Sequence, residues 1–136
     1  MGTIRATAVM LVVAAIGLAC GPGARAFEFQ GVWASQQDAC AKMFKRDRRV
    51  SFVKNADDYG SGFIVEANRI RGRIATCTIK SRKQDGAVLH LIAACSTDIA
   101  LQDVQFSIKP EGDDKIVRLY PGVPELDRPY YRCALP

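Results

Sequence analysis

The stretch Gly72–Ser96, GRIATCTIKSRKQDGAVLHLIAACS, decides the fold because it predicts a β-hairpin that carries two cysteines. Polar and apolar residues alternate along 69–80, as they do in a half-buried strand. The alternation shifts by one residue at 75–76, where we expect a β-bulge. The loop at 84–86 needs a left-handed residue in its last place, which a glycine supplies. The return strand, 87–95, is almost entirely apolar.

The two cysteines of this hairpin are predicted to form a disulfide. With a three-residue loop, Cys77 lies opposite Ala93 and therefore diagonally from Cys95 on the same face. Diagonal neighbours are roughly 7–8 Å apart, whereas a disulfide needs about 4.4–6.8 Å between Cα atoms. We therefore expect a local distortion, and the bulge at 75–76 is the expected place for it.

Four cysteines lie beyond residue 26, and an even number in a short exported chain predicts two disulfides with three possible connectivities. We expect Cys77–Cys95, with Cys40–Cys133 joining the first helix to the last strand. A metal site is not expected, because no C-x-x-C motif occurs and His90 is the only histidine. No cofactor is expected either.

Residues 1–26 resemble a secretory signal peptide rather than a membrane span. Arg5 provides a short basic region, 6–19 is apolar, and Ala24–Ala26 gives a small-x-small cleavage pattern. We therefore expect a periplasmic or secreted protein with one domain, 27–136. Lipid anchoring at Cys20 is an alternative.

The chain is mildly basic. The net charge is +5, and it falls to +3 without residues 1–26, which carry two arginines and no acid. This mild excess does not indicate a nucleic-acid-binding protein.

The rest of the chain predicts one early helix and several short strands at near-hairpin spacing. Ser35 is a suitable N-cap for a helix at 35–45, in which Cys40 lies on an apolar stripe. The predicted strands flank turn-rich segments; they are 27–33, 48–54, 63–66, 69–80, 87–95, 103–109, 115–120 and 130–135. This pattern favours a mainly β fold, a small antiparallel barrel or sandwich with one short N-terminal helix.

Gly31-Val32-Trp33 resembles the Gly-x-Trp element on the first strand of small calycin-type barrels and of some secreted inhibitors of barrel form. With the early cysteine helix, the central cysteine hairpin and the terminal Tyr131-Arg132-Cys133, the chain also resembles small exported bacterial proteins of unknown function. These resemblances imply a barrel and bring no activity with them.

No arrangement in the sequence predicts catalysis. The only histidine, His90, lies on a strand between leucines and is expected at the surface opposite Lys80. The Tyr59–Gly62 segment differs from a G-x-S-x-G nucleophile motif. We therefore expect the protein not to be an enzyme.

Two groups of residues are candidate binding surfaces. Arg69, Arg71 and Arg73 would form a row on one strand face and could contact the anionic groups of a cell-surface polymer. The late proline-rich loop carries Tyr120 and Leu126 and is followed by Tyr130, and stiff loops of this kind lose little entropy on binding.

The function expected first is therefore an exported binding module, of inhibitor-like type, that recognises an envelope or extracellular partner through its loops. A polyanion binder using the arginine row and a structural envelope protein are the alternatives.

Overall fold

The computed structural model describes Gly2 and residues 26–136. The export signal expected at 1–26 and the alternative anchor at Cys20 fall outside the described part of the chain, apart from Gly2 and Ala26. None of the helices in the described part is long and apolar enough to cross a membrane.

Residues 26–136 form a mainly β domain, as expected. Its strands are β1 (Gly31–Ala34), β2 (Phe44–Arg46), β3 (Val50–Phe52), β4 (Gly62–Glu66), β5 (Arg69–Arg71), β6 (Thr76–Asp85), β7 (Val88–Ser96), β8 (Leu101–Pro110), β9 (Lys115–Leu119) and β10 (Arg128–Arg132). Eight of them, β1 and β4–β10, close into an antiparallel barrel in which neighbours in sequence are neighbours in space. The barrel alternative of the expected fold class is thus confirmed. Strands β2 and β3 form a separate hairpin inserted between β1 and β4.

The early helix is shorter than expected. A 3-10 turn (Gln37–Ala39) leads into α1 (Cys40–Met43), and β2 begins at the next residue. The expected short N-terminal helix is thus confirmed within 35–45, but its predicted bounds and its predicted cap, Ser35, are wrong. The Ser35 hydroxyl instead accepts a hydrogen bond of 3.0 Å from the Ser61 amide, so it joins the two ends of the segment 35–61, which is inserted between β1 and β4.

The central hairpin forms, but its register differs from the expected one. Residues 69–71 form a separate strand, β5, which pairs with the start of β6. Residues 72–75 form the turn between these two strands. The expected bulge at 75–76 is therefore wrong, and a turn lies there instead. The register shift lies between Ile79 and Ser81 instead. The β6–β7 turn has two residues rather than three, and its first, Gly86, has the expected left-handed conformation (φ +56°).

Both disulfides are the expected ones. Cys77 is directly opposite Cys95, at a Cα–Cα distance of 3.9 Å, so the predicted diagonal placement is wrong. Two departures from the expected register produce this pairing. The two-residue turn alone would put Cys95 opposite Thr78, and the irregularity beside Ile79 then shifts the pairing by one residue, which brings Cys95 opposite Cys77. Cys40–Cys133 joins the insertion to the chain end, 93 residues apart in sequence. Two disulfides are compatible with an exported protein.

Side chains of β1 and β4 alternate between two cores. Trp33 and Val65 point into the barrel, whereas Val32 and Ile64 point outward. The outward residues pack with Met43 and other residues of the insertion and form a second core on the outside of the barrel. Residues 35–61 thus cover one side of the barrel, and the Cys40–Cys133 bond lies within that cover.

Arg132 stabilises the closure of the barrel, where β10 pairs with β1. Its guanidinium carbon lies 4.3 Å from the ring centre of Trp33, which is fully buried. The guanidinium donates to the carbonyl oxygens of Glu28, Gln30 and Asp113 at 2.6, 2.7 and 2.9 Å. Gly31 permits this approach, because its φ is +135° and a Cβ atom there would lie 2.6 Å from Arg132 Nη1.

We predict that the longer disulfide stabilises the fold more. Replacing both cysteines of each pair with alanine should lower the free energy of unfolding by about 4–5 kcal/mol for Cys40/Cys133 and by about 3 kcal/mol for Cys77/Cys95, because a longer closed loop restricts the unfolded chain more. Urea unfolding of the two double variants measures the difference. A larger loss of stability in the Cys77/Cys95 variant would contradict this prediction and would mean that native packing around Cys77–Cys95 outweighs the effect of loop length.

We also predict that Arg132→Lys lowers the free energy of unfolding by about 2 kcal/mol, because an ammonium group cannot reproduce three directed bonds to carbonyls. The emission of Trp33, the only tryptophan of the chain, should shift to longer wavelength as water reaches the ring. Arg48→Lys, at an exposed position, is the matched control. Equal stability of the two variants would contradict the stabilising role of Arg132.

Candidate functional site

Four connections of the barrel lie at the same end, which we call the open end. They are residues 35–61, 72–75, 97–100 and 120–127, and the register of the antiparallel strands places them there. The connections at 72–75 and 97–100 are neighbours, because the strand residues beside them, Thr76 and Ser96, are paired.

A cavity of about 520 Å³ extends into the barrel from this end. Its walls are inward-facing and mostly apolar, and they include Val104, Phe106, Ile108 and the Cys77–Cys95 disulfide. Val104, in the cavity wall, lies opposite the small residue Ala93 on the inner face. Cavities of roughly 300–1,000 Å³ with apolar walls and few polar groups are typical of ligand sites, and barrel mouths are a common place for them.

Few polar groups reach this cavity. The hydroxyl groups of Ser61 and Tyr130 are hydrogen-bonded to each other at 3.2 Å. Arg118 is the charged residue in the cavity wall. Its guanidinium carbon lies 4.6 Å from the ring centre of Phe106 and 4.8 Å from that of Tyr120. Contact with two aromatic faces holds the guanidinium in place and leaves its edge for hydrogen bonds.

Exposed apolar side chains lie at the open end, and one of them, Ile74, lines the cavity. Of the six large apolar residues exposed in the described part of the chain, Ile92 lies on a strand in the body of the barrel, and the other five belong to the open end. We call those five the apolar rim: Ile74 (81% exposed), Ile99 (96%), Leu101 (78%), Val123 (39%) and Leu126 (45%). Single exposed apolar residues are ordinary, but a group of them around a cavity indicates a binding surface.

The turns that carry the rim are held by hydrogen bonds. The Gly72 amide donates to the carbonyl of Ala75 at 2.8 Å. The Thr97 amide donates to the carbonyl of Ala100 at 2.9 Å, and the Thr97 hydroxyl accepts from the Ala100 amide at 3.1 Å. Ile74 and Ile99 therefore project from fixed turns, which lowers the entropy cost of binding through them.

The predicted loop residues come together at the open end. Tyr130 is buried and points into the barrel beside the cavity. Tyr120 lies at the end of β9 and contacts Arg118. Leu126 ends a 3-10 turn (Pro124–Leu126) and belongs to the rim. The carboxylate of Asp127 fixes this loop by accepting from the Tyr120 amide at 2.7 Å.

The three arginines of the predicted row have different surroundings. Arg69 and Arg71 belong to β5, but Arg73 lies in the turn that follows it. Arg71 donates to the carbonyl of Val50 at 2.9 Å and pairs with Glu66 at 2.9 Å.

Arg73 donates to the carbonyl of Lys54 at 3.1 Å and pairs with Asp57 at 3.3 Å. Two of the three guanidinium groups thus attach the insertion to the barrel, whereas Arg69 makes no ion pair with the described residues.

His90 lies on the outer face of the barrel, opposite Lys83 rather than Lys80 as expected. Its Nδ1 atom is 2.9 Å from the Ser107 hydroxyl, and its Nε2 atom is 4.0 Å from an Asp85 carboxylate oxygen. The residue types are those of a catalytic triad, but Ser107 is 1% exposed and the cavity of the open end does not include it. A nucleophile needs access to its substrate, and the Ser107 side chain is almost inaccessible from solvent.

Sequence reasoning missed Arg118 and most of the rim. Arg118 shares a strand face with buried Ile116. A charged residue on the inward face of a strand is the signal that could have identified it as a site residue. Val117 and Leu119 make the other face apolar as well, and this concealed the orientation. No cluster of histidine, cysteine, aspartate or glutamate residues suited to a metal occurs in residues 26–136.

Comparison of the chain with known protein families, with curated proteins and with solved structures found no match. The geometry of the open end is therefore the basis for the function proposed below.

We predict a small dependence of stability on pH from the Arg71–Glu66 pair. The hydrogen bond from Arg71 lowers the pKa of the Glu66 carboxyl below its ordinary value. The pair therefore stabilises the fold above the pKa of glutamate in the unfolded chain, about 4.3, and this contribution is lost as the pH falls through the lower folded-state value.

Glu66→Gln should lower the free energy of unfolding at pH 7 by less than about 1 kcal/mol, since the pair is partly exposed. The difference from wild type should disappear near pH 3, as urea titrations at several pH values would measure. Glu125→Gln, at an exposed position without an ion pair in the described chain, is the control. A difference that persists at low pH would contradict an ionic cause.

Proposed function

We propose that the protein is an exported binding module, acting in the periplasm or outside the cell, whose recognition site is the open end of the barrel. The observation that carries this proposal is the coincidence of an apolar cavity of about 520 Å³ with the apolar rim around its mouth. A ligand that enters the cavity and covers the rim would remove both apolar surfaces from water, which is the main driving force for such binding.

The cavity favours an apolar ligand that inserts into the barrel. The inner face is only partly filled, and a side chain larger than that of Val104 would occupy part of the cavity. The polar groups at the cavity are few, so they orient a ligand rather than supply most of its affinity. The walls are strands of a closed barrel fixed by a disulfide, so little of the binding energy is lost in ordering them.

The other roles raised by the sequence stay predictions. An inhibitor-like module would use the same rim against a protein partner, and a polyanion binder would use the arginine row. For a structural role in the envelope, no feature of residues 26–136 gives a specific argument.

We predict that the protein binds N-phenyl-1-naphthylamine, an uncharged apolar fluorophore, with saturation at one site. Val104→Trp fills the cavity from its wall and should raise the dissociation constant at least about tenfold, since burial of some 60 Å² of apolar ligand surface is worth about 1.5 kcal/mol. Fluorescence titration measures both proteins.

Gln105→Trp is the matched control, because the neighbouring residue of β8 is exposed on the outer face. It should bind the fluorophore as the wild type does. Circular dichroism and intact disulfides establish that both variants are folded. The proposal fails if the folded wild type does not bind the fluorophore with saturation, or if Val104→Trp binds it unchanged.

A further inference from the structure

Two arginines form a directly opposed pair at the open end, Arg118 in the cavity wall and the exposed Arg128 beside it. Arg118 on β9 and Arg128 on β10 are cross-strand partners. Each shares a strand face with a buried inward residue, Ile116 on β9 and Tyr130 on β10. Both side chains therefore belong to the inner face of the barrel. Like charges that oppose each other across a sheet are unfavourable unless an anion lies between or beside them.

The described residues do not supply that anion. Neither Arg118 nor Arg128 has a carboxylate within ion-pair distance in residues 26–136, although Arg71, Arg73 and Arg132 each have one. The nearest acid in sequence, Asp127, is occupied on one oxygen by the Tyr120 amide at 2.7 Å. The Arg128 guanidinium makes one weak bond, from Nη1 to the Asp127 carbonyl at 3.4 Å, and the Arg118 guanidinium donates no hydrogen bond to residues 26–136.

The surroundings of Arg118 suit a bidentate anion. Phe106 and Tyr120 contact its guanidinium and restrict its orientation. A guanidinium held in this way presents two parallel N–H groups from its edge, and these match the two oxygens of a carboxylate. Contacts with apolar rings also exclude water, which strengthens the attraction for an anion.

We propose that the site binds an anionic single-chain amphiphile, a fatty carboxylate, with its chain in the apolar cavity and its head group on Arg118 and Arg128. This assignment rests on the proposed function and adds the chemical class of the ligand. An apolar chain fits walls with few polar groups, and one negative head group compensates the opposed charges at the mouth. The rim then contacts the part of the chain nearest to the head group.

The test is displacement of N-phenyl-1-naphthylamine by two matched competitors at pH 8, dodecanoate and dodecan-1-ol. They share chain length and differ in the charge of the head group. In the wild type, dodecanoate should displace the fluorophore at a concentration at least about tenfold lower, as hydrogen bonds to a charged group imply. In Arg118→Gln/Arg128→Gln the two competitors should become equally effective, with dodecan-1-ol unchanged.

Arg48→Gln/Arg69→Gln removes the same charge from outside the cavity and should retain the wild-type preference. If dodecan-1-ol and the fluorophore bind but dodecanoate has no advantage, the carboxylate assignment is wrong and the apolar site stands. The assignment is also wrong if the advantage survives in Arg118→Gln/Arg128→Gln. If neither neutral compound binds, the proposed function itself fails.

Discussion

The contact between Arg132 and Trp33 is the interaction on which the closed barrel depends. A sheet of eight strands closes only if its first and last strands pair, and β1 is a short strand of four residues. Its pairing with β10 involves two residue pairs, one of which is Trp33 with Arg132. The short β1–β10 ladder provides few hydrogen bonds. The Arg132 guanidinium adds three more, because it donates to carbonyl groups of the N-terminal segment and of the β8–β9 turn.

Closure at this point allows the cavity at the open end. An open sheet would have to cover its apolar face completely, whereas a closed barrel can leave part of its inside unfilled. The insertion at 35–61 gives further support, because it covers the outer face of β1 and β4 and buries Met43 and Phe44 there. The barrel thus has a well-packed side at β1 and β4, and its inner face has small residues, such as Ala93, on β7.

The sequence predicted the features that depend on residue type and spacing. The even number of cysteines, the alternation of the long strands and the glycine at position 86 each reflect a local rule, and the structure confirms the barrel, both disulfides and the left-handed turn. Features that depend on long-range pairing were missed or misplaced. The turn at 72–75 shifts the alternation between Ile74 and Cys77 as a bulge would, so it was mistaken for one. The irregularity beside Ile79 leaves no such signal, because the residues of β6 after it are polar.

The helix expected at 35–45 is present but shorter than predicted, for a related reason. Ser35 has the chemistry of a cap, but its hydroxyl accepts from Ser61, a partner 26 residues away. The candidate site was predicted in part: Tyr120, Leu126 and Tyr130 lie together at the open end. Arg118 was missed, because the inward face of a strand with apolar residues on both faces is not visible before the register is known.

The disulfide between Cys40 and Cys133 has a consequence for chain cleavage. Residues 72–75, 97–100 and 120–127, which form most of the open end, all lie between these two cysteines in sequence. A protease that cut any one of these exposed turns would leave two segments still joined by a covalent bond. For a protein expected to work outside the cytoplasm, where exposed turns are the preferred sites of proteolysis, the proposed recognition surface can be nicked without loss of a fragment.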